Sequence, residues 1–67
     1  MKITSKLAKR QAQRFGFDGN LRELKMGLIV EQEHRDVVND LDGWTQIALA
    51  HLEEKKNYYT MLKKVEA

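Results

Sequence analysis

A chain with no proline, and with glycine only at Gly16, Gly19, Gly27 and Gly43, contains almost nothing that interrupts a helix. Proline removes a helical amide and clashes with the preceding turn, and turn-rich β-folds draw on both residues often. The long runs between these glycines predict an all-α protein, a compact bundle of three to four short helices forming one domain.

Its 67 residues limit how that bundle is stabilised. A single core at this size rarely supplies more than about 3–5 kcal/mol, and small proteins add disulfides, a metal or a partner chain. No cysteine is present, which excludes disulfides and thiolate zinc sites. There remain a metal held by histidine and carboxylates, self-association, or very good helix packing. No apolar stretch follows the early lysines, so no secretory signal is expected, and no run of about 20 apolar residues predicts a membrane span. The expected setting is the cytoplasm or a particle assembled there.

Thr4 and Ser5 are good cap residues, and Leu7, Ala8, Ala12 and Phe15 follow at helical intervals, which predicts a first helix over about 5–15. Gly16 is its stop, with Phe17 folding back on it, and Asp18-Gly19-Asn20 is a turn. Asn20 and Glu23 form a box-like cap for a second helix over about 21–34, in which Leu21, Leu24 and Leu28 make an apolar stripe. With Leu21 at zero, Leu24, Leu28 and Glu31 fall at roughly 300°, 340° and 280°, so Glu31 continues the stripe. Gly27 inside this helix is unfavourable by about 1 kcal/mol relative to alanine, which predicts a close helix crossing there. The connector over 35–40 is expected to anchor through Val37 and Val38. Asp42 caps a third helix over about 43–55, with Trp44, Ile47, Ala48, His51 and Leu52 on one arc. Asn57 caps a fourth over about 58–66, whose Met61 and Leu62 reach the core.

Both histidines stand beside acids at helical spacing. Glu31-x-x-His34 and, in reverse order, His51-x-x-Glu54 each place a carboxylate and an imidazole one turn apart, as inward metal ligands are placed in carboxylate-bridged bundles. Glu31, His34, His51 and Glu54 would suit zinc, or iron or manganese with open positions. The reading preferred here needs no cofactor. His51 is a core histidine bonded to Glu31 or Glu33, His34 caps a helix end, and Glu31, Glu33, His34, His51 and Glu54 form a polar clamp between the second and third helices, because buried polar groups must be paired. Catalysis by Glu31 or Glu33 as a general base lacks a nucleophile motif, a phosphate loop and room for an enclosed pocket, so no enzyme is expected.

Charge is unevenly placed. The first 17 residues hold Lys2, Lys6, Lys9, Arg10 and Arg14 with no acid, and the middle of the chain is acidic. A basic face of this kind is most often simply solvated; it can also meet nucleic acid, or dock on the acidic middle in its own chain or a neighbour's. The helix lacks the bulky apolar face that a membrane surface requires. Tyr58 and Tyr59 are a candidate interface, although helical geometry turns one of them inward.

Three blocks carry a resemblance: Gly27-Leu28-Ile29-Val30-Glu31-Gln32-Glu33-His34, then Ile47-Ala48-Leu49-Ala50-His51-Leu52-Glu53-Glu54, then Tyr58-Tyr59-Thr60-Met61-Leu62. Over residues 21–66 the chain resembles a family of small bacterial and phage proteins, a domain of unknown function. Its members share Gly, Val-Glu-x-Glu-His, an alanine-rich helix into His-Leu-x-Glu, and Tyr-Tyr-x-x-Leu. Arg35, Ala50 and Asn57 depart from the Thr or Gly, the Asp and the Pro common at those places, and Ala50 removes a carboxylate that a metal site would use. The resemblance implies a setting and no mechanism. The function expected is that of a non-enzymatic helical interaction protein, a phage virion or accessory component that docks on a larger assembly or on itself. Divalent-metal binding and nucleic-acid contact are the alternatives.

Overall fold

The computed structural model describes residues 1–34 and 40–66, the side chains of His34 and Glu66 excepted. The expected anchors Val37 and Val38 lie outside the described residues. Four helices follow one another: α1 (Ser5–Phe15), α2 (Leu21–His34), α3 (Leu41–Glu54) and α4 (Tyr58–Glu66). No strand occurs among the described residues, and the all-α bundle is the fold. Helix α2 is central and packs against all three others.

The ends of α1 and the starts of α2 and α3 have local causes. Thr4 caps α1 by accepting from the Leu7 amide at 3.1 Å. Gly16 ends it at φ 69°, a conformation that favours glycine because a side chain there meets the backbone. The Phe17 amide then reaches back to the Ala12 carbonyl at 2.8 Å and the Gly16 amide to that of Gln13, which satisfies the carbonyls left over at the helix end. Asn20 caps α2 through the amides of Arg22 and Glu23, at 2.9 and 3.2 Å.

Two expected caps are corrected. Helix α3 starts two residues early because Asp40, not Asp42, accepts from the Gly43 amide, at 3.0 Å. Asp42 therefore lies inside the first turn, where its side chain is available to α1. The box at α2 is only half formed, since the Glu23 carboxylate turns away from its own helix toward α4.

Leu24, Leu28, Trp44, Ala48, Leu52 and Tyr59, with Ile3, Ala8 and Ala12 of the first segment, make one core. Leu7, Phe17, Ile29, Val30 and Leu62 pack against its margin. Leu21 departs from the expected stripe: at the first position of α2 it remains 40% exposed.

Candidate functional site

Along one face of α2, Glu23, Gly27 and Glu31 recur four residues apart, and in a helix that spacing stacks them one turn above another. All three engage Tyr59. The Glu23 Oε1 accepts from the Tyr59 amide at 3.1 Å and from the Thr60 amide at 3.2 Å, while its Oε2 accepts from the Thr60 hydroxyl. A carboxylate from α2 thus caps the start of α4, where the backbone leaves amides without partners and the helix dipole is positive. Asn57 had been expected to do this. Its carbonyl does accept the first intrahelical bond, from Met61 at 3.0 Å, but Glu23 holds the next amides.

The Tyr59 ring lies against Gly27. A Cβ placed there would fall 2.5 Å from the ring Cε2 and 2.9 Å from Cζ, so only glycine admits the ring this close. One turn further on, the Tyr59 hydroxyl donates to Glu31 Oε2 at 3.2 Å. Burial, then the adjoining Glu31 carboxylate and the bond to it, then Tyr58, push the hydroxyl's pKa well above its ordinary 10.0. The hydroxyl stays protonated as a donor.

His51 belongs to the same neighbourhood without bonding as expected. Its ring stacks on Tyr58 with centroids 4.3 Å apart and meets Tyr59 edge-on at 6.2 Å. Glu31 is buried and takes Tyr59 in place of His51, whereas Glu33 and Glu54 are exposed. Among the described residues, Glu31 therefore ties α2 to α4 through Tyr59 rather than to α3 through His51. The His34 side chain lies outside the described residues, and among those residues no three histidines or carboxylates gather around one point. Of the tyrosine pair, Tyr59 is core and Tyr58 is half-buried.

A second polar joint holds α1 to α3. Buried Gln11 donates through Nε2 to Thr45 Oγ1 at 2.8 Å and to Asp42 Oδ1 at 2.9 Å. The Thr45 hydroxyl in turn donates to the Leu41 carbonyl at 2.8 Å, which lets Thr45 be fully buried. At the margin Arg14 pairs with Asp42 at 3.0 Å. Helix α1 does dock on the acidic middle of its own chain, at this end.

The rest of the basic face remains outside any ion pair among the described residues. Lys6 and Lys9 line a groove of about 480 Å³ together with Ser5, Leu21, Arg22 and Lys25, so α2 contributes two cations that the basic run of α1 does not reveal. Around the other flank of α1, Lys2, Lys6 and Arg10 border a hollow of about 450 Å³. The signal for Arg22 and Lys25 was present: they share an arc of α2 with Leu21, while the one acid of that turn, Glu23, points elsewhere. A cleft of about 680 Å³ opens where Glu23 meets α4, between Phe17, Arg22, Leu52, Glu53, Lys56 and Asn57. Both Glu23 oxygens are engaged there in capping, which leaves the carboxylate poorly placed to act as a base.

These features define a four-helix protein closed by a carboxylate-capped tyrosine joint, with a cationic groove between α1 and α2. The chain belongs to the family described as protein of unknown function (DUF5661), which matches residues 1–67. Helix α1 is thus inside the family's span, a correction to the resemblance drawn over residues 21–66 alone. Neither the curated proteins nor the solved structures contain a significant match.

Proposed function

We propose that this chain is a small non-enzymatic interaction protein that works by docking on a larger assembly or on copies of itself. One observation carries this reading: the division of its polar groups. Glu23, Gln11, Thr45 and Glu31 are buried and bonded between or within helices, whereas Lys6, Lys9, Arg22 and Lys25 stand together at the surface outside any ion pair among the described residues. Chemistry on a substrate calls for an available acid, base or nucleophile in a cleft; docking calls for an unpaired surface on a rigid body. No described helix is long and apolar enough to cross a membrane. The finer assignment, a phage virion or accessory component in the cytoplasm of an infected cell or on the particle, is supported by the resemblance of the three sequence blocks.

The test is a native mass spectrum of protein purified without chelator, combined with cross-linking in the producing cell. A metal-free multimer, or a metal-free monomer that cross-links into a larger species, is the expected result. One zinc, iron or manganese per chain that chelator removes would replace this reading with metal binding through Glu31, His34, His51 and Glu54. A metal-free monomer that cross-links to nothing would also overturn it.

A further inference from the structure

Like charges gathered on one surface repel one another, and a protein that holds them together without acids gains most when an anion covers them. The groove between α1 and α2 has four cations on its walls, Lys6, Lys9, Arg22 and Lys25, and no carboxylate among its lining residues. Lys6 is shared with the hollow on the other flank of α1, where Lys2 and Arg10 extend the band. Acids border the groove only from neighbouring hollows: Asp18 shares one with Lys9, and Asp18, Glu23 and Glu53 line the cleft on the other side of Arg22. Elsewhere the chain does pair its charges where helices meet, as Arg14 and Asp42 show. The first turn of α1 also has no acid to offset the positive end of its dipole.

From this geometry we infer that the α1–α2 groove is a docking surface for the phosphate backbone of double-stranded nucleic acid. This rests on the interaction reading above and names its partner. Charge complementarity points to a polyanion, and the lining chooses among polyanions. Single strands are held by aromatic side chains on which bases stack, and no aromatic lines this groove. Base edges are read by Asn, Gln or bidentate Arg reaching into a groove of the duplex, whereas here Ser5 and flexible lysines dominate, which suits backbone contact without sequence preference. An anionic membrane would call for bulky apolar residues beside the cations, and Leu21 alone lies in this groove. The contacts are electrostatic, so the affinity depends on salt.

The test uses the full chain and a mixed-sequence duplex of about 20 base pairs, followed by fluorescence anisotropy. Engaging about four phosphates gives a slope of log K against log salt near −3.6, hence a loss of roughly 100-fold in affinity between 50 and 200 mM salt. The double variant R22Q/K25Q should lower that slope by about 2, while K63Q/K64Q on α4 removes the same charge and should leave it unchanged. Circular dichroism of both variants shows whether the helices persist. Equal weakening by the two variants, tighter binding to a single strand of the same length, or binding to phosphatidylserine vesicles without binding to duplex would each overturn the inference. If duplex binding fails while cross-linking still yields a larger species, the interaction reading survives and this inference alone falls.

Discussion

Two polar joints hold the bundle together, and they differ in depth. The α2–α4 joint places Glu23, Gly27 and Glu31 around a tyrosine that is 1% exposed. The α1–α3 joint grades from buried Gln11 and Thr45 to an Arg14–Asp42 pair whose side chains are 63% and 44% exposed. In the first, removing Glu23 leaves the buried Tyr59 amide without its acceptor; in the second, water can replace what is lost at the exposed Arg14–Asp42 margin, though not at the buried Gln11–Thr45 bond. Depth, rather than the number of bonds, sets how much each joint matters.

The largest effect should come from Glu23→Ala. It strips the cap from α4 and leaves the Tyr59 and Thr60 amides unpaired, at a cost of about 2–4 kcal/mol, read as a lower denaturation midpoint. Glu23→Gln keeps an acceptor in place and should lose less than half as much. Gly27→Ala comes next. Alanine gains about 1 kcal/mol of helix propensity, but its Cβ enters the Tyr59 ring, and overpacking costs typically 1–3 kcal/mol, so the variant should be less stable. A more stable Gly27→Ala protein would mean that the ring sits elsewhere.

Tyr59→Phe tests the joint through pH. Because the folded state holds the Tyr59 proton more tightly than the unfolded state does, this contribution is fully present below the ordinary pKa of 10.0 and is lost as pH rises above it. Wild-type stability should therefore fall between pH 10 and pH 11 more steeply than that of Tyr59→Phe. Parallel curves would show that the hydroxyl is neither buried nor held by Glu31. In the shallow joint, Gln11→Ala should cost about 1–2 kcal/mol, since the buried Thr45 hydroxyl loses its donor. Arg14→Ala closes the series at about 0.5 kcal/mol or less, vanishing at high salt.

The two joints were also unequally legible. Gly27 announced a close approach because an interior helical glycine needs a reason, and the Tyr59 ring, rather than the backbone of a crossing helix, supplies it. Tyr58-Tyr59 had to turn one ring inward, and Tyr59 did. Yet Glu23 passed for a local cap, because a carboxylate at the third helical position has a plausible partner in its own turn and its actual partners lie 36 and 37 residues away. His51 stacks on Tyr58 instead of bonding Glu31 for a related reason. Sequence spacing shows which groups share a helix face but not which of several acceptors across the interface is nearest. Gln11 with Thr45 carried no sequence signal, since both are common on solvated faces.

By itself the sequence determined four helices, their approximate limits, most of the apolar core and the basic character of α1, because periodicity, capping residues and glycine act over a few neighbouring positions. Only the tertiary structure decided which carboxylate caps α4, which tyrosine bonds Glu31, and that Arg22 and Lys25 join Lys6 and Lys9 in one groove. Those outcomes depend on how α2 is rotated against α1 and α4. That rotation is set by packing summed over the whole core, a quantity no local stretch contains.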